Sequence, residues 1–177
     1  LGKIQKLFGA IPKPTRTLPT TWTVEPAQDG ERTVTLRRVG DTQLVSAMFH
    51  VPAGSHPDYA AVDVLAFILG DTPSGRLHKG MVETKKASSA YSYAFLFHDP
   101  SVMVAAANLR TEQSVDEART LMLKILEGTT TQAPTADEVK GARDSKLRDW
   151  ETTMRNSERA ALQLSEWAAA GDWRMMF

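Results

Sequence analysis

Apolar and polar residues alternate along this chain with two different periods, and the switches between periods mark its elements. Arg32–Val39 repeats every second residue, with Val34 and Leu36 on one side and Thr33, Thr35 and Arg37 on the other. That is the pattern of a half-buried strand. Gly40-Asp41 turns the chain, and Gln43–Val51 is more continuously apolar, which predicts a central strand covered on both faces. Pro52-Ala53-Gly54 ends it. His56–Gly70 sets Tyr59, Val62, Ala66 and Leu69 at helical spacing, with Gly70 as a stop. A shorter helix over Ser74–Lys85 turns Leu77 and Met81 inward. Ser88–Phe97 goes back to period two, placing Tyr91, Tyr93, Phe95 and Phe97 on one side. Such a row is usually core, and otherwise a platform for a ligand. His98-Asp99-Pro100-Ser101 makes a compact turn, and Val102–Leu109 returns as the second strand of an antiparallel hairpin.

Two long helices follow. Ser114-Val115-Asp116-Glu117 has the form of a capping box and opens a helix with Val115, Ala118, Leu121, Met122 and Ile125 on one face, closed by Gly128. Thr135-Ala136-Asp137-Glu138 opens another, lined by Val139, Ala142, Leu147, Trp150 and Met154 and running to near Gly171. Strands and helices come in pairs rather than in strict alternation. The fold class expected is therefore α+β, a two-layer sandwich of an antiparallel-rich sheet with helices on one face.

The ends read differently. Lys3–Phe8 has the look of a helix tail stopped by Gly9, and Pro12, Pro14, Pro19 and Pro26 make Ala10–Asp29 a linker, since proline fixes φ and lacks an amide donor. The expected division is residues 1–29 as the end of a preceding domain plus linker, 30–171 as the α+β domain, and 172–177 as the start of a following segment. Both ends are read as cuts in a longer polypeptide. Trp167, Trp173, Met175, Met176 and Phe177 are then apolar residues parted from their neighbours, with self-association as the expected consequence.

Composition narrows the function. With 42% hydrophobic residues the chain can bury a core, and 21 basic residues against 21 acidic ones leave no electrostatic footprint for nucleic acid. Its apolar runs are too short for membrane insertion. The absence of cysteine excludes disulfides, thiolate nucleophiles and cysteine metal sites.

Little of the remaining chemistry converges. His50, His56, His78 and His98 include no i, i+4 pair of the kind that shares one metal ion. Gly54-Ser55-His56 and Pro73-Ser74-Gly75 are turns, without the G-x-S-x-G elbow of a serine hydrolase. Gly70–Arg76 precedes a helix but lacks the G-K-[ST] of a phosphate loop. Asp116-Glu117 and Asp137-Glu138 occupy first turns of helices, where they suit the macrodipole.

Leu69-Gly70-Asp71-Thr72-Pro73-Ser74-Gly75-Arg76-Leu77, followed by Val82-Glu83-Thr84-Lys85-Lys86-Ala87, resembles the pitrilysin-family segment LGGGxxSRLxxxLREKKGLAYS. Phe49–Ala61 resembles the strand–turn–helix entry of the same family, and Phe8–Pro14 its usual join between two domains. The resemblance covers nearly the whole chain. It implies a zinc metallopeptidase built of similar α+β domains around a peptide-degrading chamber. The H-x-x-E-H zinc motif of the catalytic domain is absent here. The Arg and Tyr that a partner domain contributes are not both present either: Glu83 and Ala90 stand there ungapped, and Thr84 and Tyr91 after a shift of one.

The resemblance therefore implies a non-catalytic second domain, with no cofactor of its own and zinc held by the parent's catalytic domain. The implied partners are sister domains of the same polypeptide and peptide substrate. By analogy with insulin-degrading enzyme, substrate adds as a strand to an edge formed by Ser88, Ser89, Ala90 and Tyr91 and the adjoining strand with Val102 and Val104. The alternative is a structural or assembly subunit of a family member that has lost catalysis. The family resemblance gives a periplasmic location as the expectation.

Overall fold

The computed structural model describes residues 1–17, 19 and 28–177, and it divides into two units, Leu1–Arg38 and Val39–Phe177. In the first, Gly2–Phe8 forms helix α1, and the Gly9 amide donates to the Gln5 carbonyl. The linker expected over Ala10–Asp29 falls partly on Leu18 and Thr20–Ala27, which lie outside the described residues. The strand expected over Arg32–Val39 does not form. Its residues have no ladder partner among the described ones, and Val34 and Leu36 are 91% and 75% exposed. Alternation states which side of a strand would be buried; the strand itself needs a neighbour to take its amides and carbonyls.

The second unit is built on a three-stranded antiparallel sheet, β1 (Thr42–Val51), β2 (Ser89–Ala94) and β3 (Ser101–Arg110), in the order β1-β3-β2. Thr42 lies opposite Arg110 and Val51 opposite Ser101, while Ser89 faces Asn108 and Ala94 faces Met103. The central strand is thus β3, not β1 as the apolar run suggested. Leu44 and Met48 of β1 are exposed, whereas Met103–Ala107 of β3 are all buried. Alanines at 105–107 let neighbours close in on both faces, which a count of large apolar residues does not register.

Helices cover one face of the sheet. Helix α2 (Tyr59–Gly70) lies over β2 and β3, α3 (Val115–Glu127) over β1, and α4 (Ala136–Met154) packs on α2. Between sheet and helices Val45, Leu69, Met81, Leu109 and Met122 form the centre of the core. The short helix expected after α2 is a π-turn at His78–Val82, and Leu77 and Met81 are fully buried at it. Ser114 caps α3 by accepting the Glu117 amide, and Thr135 with Glu138 forms a complete capping box on α4. The last long helix breaks in two. Asn156 accepts the Arg159 amide and starts α5 (Ser157–Ala169), the local competition with helical bonding that asparagine supplies. Val139, Leu147 and Trp150 of α4 are exposed, so only Ala142 of the expected face is buried. Near the end, Met176 is tucked in, its carbonyl taking the Trp150 indole N–H at 3.2 Å, while Trp173 and Phe177 stay exposed.

Candidate functional site: the open face of the sheet

Successive side chains on a strand point to opposite faces, and here the two faces are built from different residues. On β2 the side toward the helices carries Ala90, Ser92 and Ala94, opposite Ala107, Ala105 and Met103. The reason is proximity. A Cβ added to Gly70, the last residue of α2, would collide with the backbone nitrogen of Ser92. Only small residues fit beneath a helix that close, so Gly70 serves here as a close-approach residue.

The other face carries the bulk. Tyr91 and Tyr93 stack with ring centroids 6.1 Å apart, Tyr93 meets Phe95 edge-on at 5.0 Å, and Phe95 stacks on Phe97 at 5.4 Å. Tyr91, Tyr93 and Phe97 are 37%, 44% and 54% exposed. The row expected as core is therefore a surface. Val102, Val104 and Ala106 of β3 lie on the same side, with Val104 and Ala106 buried, and Leu44 and Met48 of β1 are exposed beyond them. Among the described strand residues on this side, the stretch from Leu44 to His50 and from Val102 to Asn108 holds no Asp, Glu, Lys or Arg.

The six residues expected at a strand edge separate on this geometry. Ser88 is anchored, its amide and hydroxyl both donating to the Asn108 carbonyl at 2.8 and 2.9 Å. Ser89 accepts the Asn108 side-chain amide at 2.9 Å. Ala90 faces the core and is buried. Tyr91, Val102 and Val104 lie on the open face with Ser89. Strand β3 is paired on both sides, so Val102 and Val104 have no free edge to offer a peptide backbone.

The edge of β2 is also covered. The Phe95 amide donates to the Val102 carbonyl, so the odd residues of β2 bond inward and Ala90, Ser92 and Ala94 direct their main-chain groups away from β3. Ala90 is buried, Gly70 abuts the Ser92 nitrogen, and the Ala94 carbonyl accepts the Tyr59 hydroxyl at 3.3 Å. Burial, and secondarily the nearby Asp63 carboxylate, push the Tyr59 hydroxyl up to about 12, so it stays a donor. This is the covered-edge solution to unpaired strands. Of the six sequence candidates, Ser89, Tyr91, Val102 and Val104 share one face of the sheet and Ala90 lies on the other.

One residue inside the resemblance motif has a role that sequence reading did not assign. Arg76 holds Glu138 with two bonds of 2.8 Å and reaches the Gln132 and Ala133 carbonyls at 2.7 and 3.2 Å, tying the turn after α2 to the start of α4. The Arg76 bonds, with the Thr135 amide and hydroxyl behind them, hold the Glu138 carboxyl down at about 2 against the opposing effect of burial. The sequence showed only the capping-box half of this role, because Arg76 and Glu138 stand 62 residues apart.

Among the described residues no group of three or more His, Asp or Glu is placed to hold a metal ion. His98 and Asp99 are 3.1 Å apart but exposed, with no nucleophile beside them. Among the described residues no helix is long and apolar enough to cross a membrane.

Residues 1–146 match the family model described as the peptidase M16 inactive domain. The zinc protease PqqE of Helicobacter pylori is 34% identical over 124 residues, covering 67% of this chain and 28% of that protein. This chain therefore spans little more than a quarter of that relative. Among solved structures, the inactive peptidase domain of a zinc-protease-like protein from Bordetella parapertussis is 37% identical with a TM-score of 0.72, covering 81% of this chain and 79% of that one. A Helicobacter pylori protease superposes with a TM-score of 0.87 at 25% identity, over 96% of this chain and 42% of that one. On the extent of that family match, the chain belongs to the peptidase M16 inactive-domain family.

Proposed function

We propose that this chain is a wall of the peptide-degrading chamber of a zinc endopeptidase, and that the open face of its sheet touches the peptide. The observation that carries the reading is the exposed Tyr91, Tyr93 and Phe97, joined through half-buried Phe95 and flanked by Val102, on a helix-backed sheet. An uncharged aromatic surface recognises chain segments by apolar burial, which is non-directional and so tolerant of sequence. Tyrosines add hydroxyls at the rim for polar groups of the peptide. The contact is made by a face, because the edge of β2 is closed by Tyr59 and Gly70. Zinc, and the acid and base that use it, belong to the catalytic domain of the family. This domain's part is to hold substrate and to pack against sister domains of the same polypeptide.

The test is made in the full-length polypeptide. Tyr91→Ser combined with Tyr93→Ser raises KM for peptides about tenfold, the cost of losing apolar contact area, while kcat and zinc content stay as in the wild type. An unchanged KM in a folded double variant sinks the peptide contact and leaves the domain with a purely structural role.

A further inference from the structure

The aromatic row is held in two different ways. Tyr91 and Tyr93 lie within β2, where pairing with β3 fixes them residue by residue, and their rings are within 9° of parallel. The ladder stops at Ala94, opposite Met103. Phe95 and Phe97 come after that end. Their rings are within 21° of parallel to one another, while Phe95 stands at 84° to Tyr93. The row is thus two pairs of rings set near a right angle, and the turn falls where strand pairing ends.

A serine and a glycine hold the second pair. In a regular antiparallel ladder two residues that bond directly exchange both main-chain bonds. Between Phe95 and Val102 one of these is made, the Phe95 amide donating to the Val102 carbonyl at 3.1 Å. A side chain replaces the other. The Val102 amide donates to the Ser101 hydroxyl at 2.6 Å, and that hydroxyl donates to the Phe95 carbonyl at 2.9 Å. Two residues on, the Gly54 amide donates to the Phe97 carbonyl at 2.9 Å. A Cβ at Gly54 would run into the Leu96 side chain and crowd that carbonyl, so glycine is what lets the loop after β1 come this close. Ser101 and Gly54 are both buried.

We propose that Ser101 and Gly54 are positioning residues of the peptide-facing surface, setting Phe95 and Phe97 as a second contact that lengthens the surface beyond the strand. The inference rests on the peptide-facing reading above and deepens it by giving the length of substrate. Ring centroids follow one another at 6.1, 5.0 and 5.4 Å. An extended peptide advances about 3.3 Å per residue, so about six residues reach from Tyr91 to Phe97. The substrate class is an extended apolar segment of at least that length, and a shorter one meets a single pair of rings.

The test uses the 177-residue chain with 13C-ring-labelled tyrosine and phenylalanine, titrated with a ten-residue neutral peptide of alternating valine and threonine. In the wild type the rings of Tyr91, Tyr93, Phe95 and Phe97 all shift. In Ser101→Ala the shifts of Phe95 and Phe97 fall away, those of Tyr91 and Tyr93 persist, and Kd rises about fivefold, as expected for two lost aromatic contacts. Gly54→Ala removes the Phe97 shift alone and raises Kd about twofold. A merely structural role lowers the melting temperature and leaves the division of shifts between the two pairs as it was. The wild type also tests the length without any variant. Cutting the peptide from ten residues to six changes Kd by no more than about twofold, and cutting it from six to three weakens binding about tenfold. Four rings still shifting in folded variants with Kd unchanged, or a loss of affinity spread evenly from ten residues to three, overturns the proposal and leaves the peptide-facing reading standing. A wild type in which none of the four rings shifts overturns both.

Discussion

The two faces of the sheet solve opposite problems. Toward the helices the residues are small, because α2 presses its last turn against the backbone of β2 at Gly70 and leaves room for Ala90, Ser92 and Ala94 only. Away from the helices β2 carries Tyr91 and Tyr93, and Phe95 and Phe97 just past its end continue the row, with all but the half-buried Phe95 exposed. Stability of the unit is concentrated on the first face. The second contributes area that the fold does not need to bury. A strand read only for its period cannot show which of its sides the helices will choose, and here they chose the side with less to bury, since close approach was worth more than bulk.

The largest effect separating the faces is expected at Gly70. Gly70→Val drives a side chain into the Ser92 backbone, and urea unfolding should show a loss of about 3 kcal/mol or more. Next comes Arg76→Ala, which leaves the part-buried Glu138 carboxylate without its arginine; a loss of about 2 kcal/mol is expected at neutral pH, given that the pair is partly solvated. The same variant has a pH signature. The Glu138 carboxyl is depressed to about 2, so its contribution is present above the ordinary carboxylate range and lost as pH falls toward and through about 2. Melting curves of wild type and Arg76→Ala should therefore converge on acidification across that window, and parallel curves would refute the assignment.

Smaller effects follow. Tyr59→Phe removes the hydroxyl over the β2 edge and should cost about 1 kcal/mol. Ser92→Ala should be neutral or stabilise by up to about 1 kcal/mol, because the buried Ser92 hydroxyl has no hydrogen-bond partner among the described residues. On the open face, Tyr93→Ser should change stability by no more than about 0.5 kcal/mol in chemical denaturation. A large loss there would mean that the aromatic row is core after all.

Much of this was legible along the chain. The helix around Ala66 and Leu69, the caps at Ser114 and Thr135, and the hairpin turning at His98–Ser101 all rest on local rules, and local rules decide them. What failed depended on distant neighbours. Gln43–Val51 read as central because its residues are large, yet the centre went to the alanines of β3, which matter only once two strands and a helix converge on them. Arg32–Val39 carries a sound strand pattern without a partner in the described residues. The break at Asn156 was hidden because α4 and α5 share one polar composition, so no change of period announces it. At the candidate site, Tyr91, Val102 and Val104 come from two strands and share one side of the sheet, a placement that follows from the pairing register and not from order along the chain. Order along the chain gives strand adjacency, and only the pairing parity shows which backbone groups are spent.

The most direct test of the central claim is a titration of the 15N-labelled chain with a ten-residue neutral peptide of alternating valine and threonine, followed by amide chemical shifts. The account predicts perturbations clustered at Ser89, Tyr91, Tyr93, Val102 and Val104, with the amides of α2 and α4 unmoved. No perturbation up to about 1 mM, the weak end of specific contact, or a cluster on the helical layer instead, would contradict it.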